Sequence, residues 1–184
     1  LVAHKVIVCP AFPGTGRSVY QGHLFVNDAL LSESGMENHP LTPMTDPDLR
    51  RWLVPQSAYG VGHVAAQTVF QGATAIKVAL DAERLKGNRH IIVDAIRDED
   101  LMEIGRAAKD LKLVTGGSGV ALGLPANFGC TPGTPAWQGQ PGQAIALSGS
   151  CSKATRGQVA YHAERHPARE VAAADIIEGR VTAA

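Results

Sequence analysis

Ile7-Val8-Cys9-Pro10-Ala11-Phe12-Pro13-Gly14-Thr15-Gly16-Arg17 is an apolar strand that breaks into a proline- and glycine-rich loop and delivers one arginine. From Val6 to Cys9 the run is continuously apolar, as in a strand buried on both faces, and Pro10 and Pro13 stop it at once. Open α/β sheets bind ligands at the C-terminal ends of their parallel strands. There Gly14 and Gly16 admit close approach of the main chain, and a guanidinium at Arg17 can grip a carboxylate or phosphate through two parallel hydrogen bonds. Thr15, Gly16 and Arg17 are therefore candidate anion-binding residues. A surface turn with a solvated arginine satisfies the same spacing equally well.

Outward from this loop, strand and helix patterns alternate. Residues 23–26 and 29–31 flank Asn27-Asp28, a pair that suits a tight hairpin turn, so a β-ribbon is expected, followed by an irregular stretch over 32–45. Asp46-Pro47-Asp48 supplies a cap, a proline at the first helical position and an acid in the first turn of a short helix through Trp52 and Leu53, ended by Pro55. Residues 59–64 read as a strand. Residues 67–86 place Val69, Ala73, Ile76 and Leu80 at helical spacing and close on Gly87. A buried strand over 90–93 ends in Asp94, and Asp98 opens a helix with Leu101, Ile104, Ala108 and Leu111 on one stripe. Leu113-Val114 then leads into Gly116-Gly117-Ser118-Gly119. This alternation predicts an α/β fold with a mostly parallel sheet, flanking helices and right-handed crossovers.

Residues 125–142 carry Pro125, Pro132, Pro135 and Pro141 with Gly129, Gly133, Gly139 and Gly142, a composition suited to neither helix nor central strand. They read as a linker between a domain over 1–124 and the start of a second α/β domain over 143–184. In that second unit 144–147 reads as a strand, 148–152 as a polar turn and 153–165 as a helix. The turn Ser148-Gly149-Ser150-Cys151-Ser152 aims amides and hydroxyls at one point before a helix N-terminus, so Ser148, Gly149, Ser150 and Ser152 are candidate phosphate-binding residues. Ser150 or Ser152 acting only as a helix cap explains the same residues. No GxxxxGK[ST] or GxGxxG occurs.

Composition excludes several classes. The chain has 184 residues, 45% of them hydrophobic, with a formal net charge of zero, which fits an α/β protein with a sizeable core and marks no nucleic-acid binder. Its apolar stretches are too short to cross a bilayer and no signal-like segment opens it, so a cytoplasmic setting without membrane association is expected. Cys9, Cys130 and Cys151 are widely spaced and odd in number, which supports neither a disulfide framework nor a zinc site; they read as reduced thiols. The chain begins at Leu1 without an initiator methionine and stops at Ala184, so it reads as a piece of a longer protein.

Asp94 lies at the ligand edge of the presumed sheet, although an acid there can equally serve as a turn former. The turn at Gly116, Gly117 and Ser118 could hold a sugar hydroxyl or carboxylate through its amides. His162 and His166 are four apart but lack the glutamate of an HExxH site and read as solvated helix-end residues. His39 reads as a hydrogen-bonded loop histidine, and no metal site is expected. Trp52, Trp137 and the other aromatics are too scattered for a nucleic-acid stacking platform.

Taken together, residues 9–17, Tyr20-Gln-Gly-His-Leu-Phe-Val26, Leu31-Ser-Glu-Ser-Gly-Met36, residues 38–46, Gly116-Gly-Ser-Gly119 and Leu147-Ser-Gly-Ser-Cys-Ser152 resemble the four-carbon acid sugar kinases. The resemblance runs over essentially the whole chain. Asn38-His39-Pro40 resembles the 3-oxo-tetronate kinase branch.

That resemblance implies an acid-sugar domain, a nucleotide domain, and phosphorylation of the terminal hydroxyl of a four-carbon sugar acid by ATP with Mg²⁺. It implies small-molecule partners, the acid sugar and ATP; a homo-oligomer is compatible with the sequence, which leaves the oligomeric state open. The family's opening Asp-Asp-x-Thr-Gly-Ala loop and its late glycine-rich segment are absent, so 1–124 corresponds to the second part of the acid-sugar domain and 143–184 to the first edge of the nucleotide domain. Arg17 fits the carboxylate clamp and the serine turn the phosphate cradle. No general base is identifiable, and such a chain is not expected to be active alone. A non-catalytic sugar-acid binding or regulatory module is the other reading; a dinucleotide oxidoreductase is disfavoured by the missing glycine fingerprint.

Overall fold

A computed structural model describes residues 4–181 apart from Pro40, Pro135 and Cys151. The opening residues, the closing 182–184, Pro40 of the family motif, Pro135 of the linker and Cys151 of the serine turn thus lie outside the described residues. Two compact units divide the chain, residues 1–136 and 137–184.

The first unit is built on a four-stranded, wholly parallel sheet. β1 (Val6–Cys9) is followed by β2 (Arg17–Tyr20), β3 (His23–Val26), β4 (Ala29–Leu30), α1 (Leu49–Leu53), β5 (Gly60–Val64), α2 (Ala66–Val69), α3 (Ala73–Leu85), β6 (Asn88–Val93), α4 (Asp98–Ala107) and β7 (Val114–Gly116). The sheet order is β5-β6-β1-β7. Ile7 stands between Ile91 and Val114, and His63 and Val64 of β5 pair with Ile92 and Val93. From β1 the chain runs to one side of the sheet, and from β6 it crosses to the other side of β1, so the direction of winding reverses beside these two strands. That is the switch point at which open α/β sheets form their ligand crevice.

The core follows from the apolar runs. Ile7, Ile91, Ile92 and Val93 are sealed between the layers, together with Ile76 and Leu80 of α3 and Leu101 and Ile104 of α4. Each such aliphatic side chain contributes roughly 1.5–3 kcal/mol through removal of its surface from water. α3 and α4 pack against each other, as their apolar stripes require.

Four local expectations are corrected. The helix predicted over 67–86 is two, because Gly72 takes φ +91° between α2 and α3 and closes the first helix before the second begins. The cap of α1 is Asp48, whose carboxylate accepts from the Arg50 amide at 2.9 Å, while Asp46 accepts from the Asp48 amide one step earlier. Inside the proline-rich stretch, residues 125–128 make a 3₁₀ turn, and Asn127 Nδ2 donates to the Gly105 carbonyl at 2.8 Å.

The fourth concerns the second unit, where 144–147 is not a strand. Ile145 and Leu147 are 84% and 90% exposed, and no ladder reaches them among the described residues; a strand without a partner leaves its main-chain groups to water. The described part of this unit holds α5 (Lys153–Ala163) and α6 (Ala173–Ile177).

The ribbon predicted around Asn27-Asp28 forms and gains a third strand. β2, β3 and β4 are antiparallel, with Arg17 opposite Val26 and Val26 opposite Ala29. Gln21 and Gly22 join β2 to β3 at φ +50° and +73°, the doubly left-handed turn that matches strand twist.

Candidate active site at the C-terminal edge of the sheet

Three of the segments singled out in the sequence leave adjacent strands at one edge. Thr15–Arg17 follow β1, Asp94 follows β6, and Gly116–Ser118 end and follow β7. Cys9 pairs with Gly116, and the Gly117 amide donates to the Cys9 carbonyl at 3.2 Å, so the β7 exit lies directly on the β1 exit. Gly116 has φ +157°, and a side chain there would run into the Cys9 main chain. Only glycine permits this approach.

The arginine loop is tied down at both ends. Phe12 and Arg17 exchange main-chain hydrogen bonds of 2.8 and 3.1 Å, and the Thr15 hydroxyl donates to the Phe12 carbonyl at 3.0 Å. The Gly14 amide donates to Asp98 Oδ1 at 3.0 Å, which joins the loop to the first turn of α4. Gly16 is left-handed at φ +82° and turns the chain into β2. Arg17 is exposed, and its guanidinium has no salt-bridge partner among the described residues.

Asp94 occupies the expected edge but is fully buried, with its carboxylate wholly engaged inside the protein. It accepts from the Gln21 amide at 2.7 Å, the Gly22 amide at 3.0 Å, the Ala66 amide at 3.0 Å and His63 Nε2 at 2.8 Å. A carboxylate that only accepts requires the His63 proton to sit on Nε2. From the sequence alone His63 has no role, and Gln21-Gly22 enters only within the 20–26 segment of the resemblance, not as a turn. The Gln-Gly pair between two short alternating segments was the available signal for the turn; nothing local marked His63.

Beside this cluster α1 carries a carboxylate network. Arg50 Nε and Nη2 grip Asp48 at 2.9 and 2.8 Å, and Arg51 Nη1 adds a contact at 3.0 Å. The Arg50 hydrogen bonds bring the nearly buried Asp48 carboxyl down to about 2. At the end of β1, burial pushes the Cys9 thiol up to about 12.

The second unit carries the serine turn. Ser148, Gly149, Ser150 and Ser152 are exposed; Ser152 Oγ accepts from the Thr155 amide at 3.1 Å and caps α5, and Ser150 Oγ accepts from the Ser152 amide at 3.2 Å. His39 Nδ1 accepts from the Thr42 amide at 3.0 Å, as a loop histidine should. His162 and His166 stack at 4.6 Å. Among the described residues no three His, Cys, Asp or Glu side chains converge on a point that could hold a metal ion.

A wholly parallel sheet whose winding reverses beside β1 and β6, with helices packed against it, defines the class as an open α/β domain. Residues 1–124 match the family model of the sugar-binding N-terminal domain, and the chain belongs to that family. It is 50% identical over 168 residues to a 3-oxo-tetronate kinase of Cupriavidus necator, a match covering 86% of this chain and 38% of that protein. A 3-oxo-tetronate kinase of Escherichia coli is 44% identical over 90% of this chain and 43% of its own length. The chain thus spans about two fifths of the curated relatives it matches.

Among solved structures, a Haemophilus influenzae protein of a domain family of unknown function superposes with a TM-score of 0.70 at 38% identity, covering 95% of this chain and 42% of that one. A Bordetella bronchiseptica domain of unknown function, solved with bound citrate as a domain-swapped dimer, superposes with a TM-score of 0.54 at 26% identity, over 67% of this chain and 29% of that one.

Proposed function

We propose that this chain carries part of the acid-sugar site of a 3-oxo-tetronate kinase, an enzyme that phosphorylates the terminal hydroxyl of a four-carbon sugar acid with ATP. The observation that carries the reading is the meeting of the arginine loop with the β6 and β7 exits at the sheet's switch point, with the Arg17 guanidinium unpaired among the described residues. A bidentate guanidinium suits the carboxylate of the substrate, and the amides of Gly116, Gly117 and Ser118 suit its oxygens. Thr15 and Gly16 shape the loop. The names of the relatives support the substrate class, and citrate in the Bordetella protein supports a carboxylate ligand for this fold.

In this reading residues 1–124 belong to the acid-sugar domain, 125–142 link, and 143–184 begin the nucleotide domain. The serine turn offers hydroxyls and the first-turn amides of α5, donors that fit an ATP phosphate. Bound ATP supplies the phosphoryl group; what Ser148, Gly149, Ser150 and Ser152 would do is hold its oxygens. Among the described residues no three His, Cys, Asp or Glu side chains converge, so a Mg²⁺ accompanying ATP would be held chiefly by the nucleotide's phosphate oxygens and water. No described helix is long and apolar enough to cross a membrane. A cytoplasmic setting belongs to this proposal, and the domain-swapped neighbour supports a homo-oligomer.

The test is Arg17→Lys in the full-length protein. It keeps the charge and loses the fork, so KM for the acid sugar should rise about tenfold or more while KM for ATP stays within about twofold. Equal effects on both, or none, would sink the assignment.

A further inference from the structure

We infer that Asp94, with His63, is a positioning residue that holds Arg17 in place through the β2–β3 ribbon and does not itself touch the substrate. This rests on the carboxylate-clamp reading of Arg17. Three observations carry it. Asp94 is fully buried and both of its oxygens are shared between two donors each: Oδ1 takes the Gly22 amide and His63, and Oδ2 the Gln21 and Ala66 amides. No acceptor position is left facing a ligand.

Two of those donors are the turn that ends β2. The strand beginning at Arg17 is therefore anchored at its far end by Asp94, in its middle by the paired main chains of Val19 and Ala95, and at its near end by Phe12. Arg17 is only two residues from Val19, a reach of about 7 Å along an extended chain. The ribbon lies outside the parallel sheet, and a short ribbon has little stability of its own. Its place on the sheet edge, and with it the starting point of the Arg17 side chain, depends on these ties. His63 lies on β5, the strand beyond β6, and its imidazole is partly exposed while Nε2 is held. It fills the fourth donor position and so fixes which way the carboxylate faces. A guanidinium displaced by even 1 Å loses the parallel geometry of a two-point contact.

The experiment measures binding of D-erythronate, a four-carbon sugar acid, and of ADP to the full-length protein by calorimetry. Asp94→Asn replaces an acceptor oxygen with an NH₂ that faces donors, and should weaken erythronate about tenfold while ADP affinity stays within about twofold. Because the effect passes through Arg17, the double variant R17A/D94N should bind erythronate no more weakly than R17A, within about twofold. Amide exchange at Gln21 and Gly22 should accelerate in D94N while the β1 and β6 amides keep their protection, which general destabilisation would not produce. Should D94N fail to fold, His63→Ala removes one donor and should weaken erythronate about threefold, with His63→Gln restoring it because its Nε2 can donate. If R17A alone leaves erythronate affinity unchanged, the clamp reading fails and Asp94 has nothing to position. If R17A weakens binding while D94N and H63A do not, the clamp stands and the positioning role is overturned. Multiplying losses in the double variant also overturn it, since they mark Asp94 as an independent contact.

Discussion

Val19 and Ala95 exchange two main-chain hydrogen bonds, 2.9 Å from the Val19 amide and 3.0 Å from the Ala95 amide, and both residues are fully buried. This isolated antiparallel bridge is where a three-stranded ribbon meets the end of a parallel sheet. It needs no side chain, so neither residue's type announces it. It places the arginine strand beside the exit of β6, and α1 continues the same seam, with the Leu24 amide donating to the Pro47 carbonyl at 3.0 Å and the Leu49 amide to Gly22 at 2.9 Å.

Gly105 on α4 lies against the Gly123 main chain, so a methyl group at either position would collide with the other backbone. Gly105→Ala should therefore lower stability by about 1–3 kcal/mol despite the gain in helix propensity, because backbone cannot move aside as a flexible side chain can. Gly157→Ala, in the interior of α5 with open space around it, should raise the stability of that helix by up to about 1 kcal/mol. Thermal and urea unfolding of the two variants compares them directly; a neutral Gly105→Ala would contradict the close approach.

Asp48 gives acid sensitivity with a defined sign. Its folded pKa, about 2, is below the ordinary 3.8, so the folded state holds the proton less tightly than the unfolded chain and the contribution is complete above about pH 4. It should be lost as the pH falls toward 2. With Arg50 partly exposed to solvent, it is worth on the order of 1–2 kcal/mol. Asp48→Asn should lower stability at pH 7 and flatten the pH dependence between 4 and 2, measured by urea midpoints across that range. An unchanged slope would show that the Arg50 and Arg51 contacts contribute nothing.

The serine turn separates into two roles. Ser152 caps α5, so Ser152→Ala should cost about 1 kcal/mol of local helix stability, read by the thermal midpoint and helical signal. Among the described residues Ser150 accepts only the Ser152 amide, at 3.2 Å, and should matter less for stability. If the turn cradles phosphate, Ser150→Ala in the full-length protein weakens ADP while sparing the sugar acid. Unchanged ADP affinity by calorimetric titration would remove these serines from the nucleotide site.

Cys9 and Cys130 should differ sharply toward an alkylating reagent. Burial holds the Cys9 thiol at about 12, so it is protonated and inaccessible at pH 8, whereas Cys130 is exposed. Mass spectrometry after brief iodoacetamide treatment should find Cys130 modified and Cys9 intact until denaturant is added. Because the unfolded thiol ionises near 9.0, Cys9 also contributes stability that is complete below that pH and declines as the pH rises toward 12. Rapid native labelling at Cys9 would contradict its place under the sheet edge.

The sequence by itself determined the parallel α/β class, the arginine loop, the ribbon turn at Asn27-Asp28 and the stripes of the two long helices, because each is written in a short window of apolar period, proline or glycine. The break at Gly72 was legible in principle, since a single glycine inside a helical pattern is a weak but real signal. Only the tertiary structure decided that Asp94 faces inward, because that depends on donors from Gln21, Gly22, His63 and Ala66, up to 73 residues away in sequence. It also decided against a strand at 144–147: the apolar pattern is there, but strand formation is settled by a neighbouring ladder, and none of the described residues provides one. Local pattern specifies what an element can be. Its partners, drawn from distant parts of the chain, specify whether it forms and which way its side chains face.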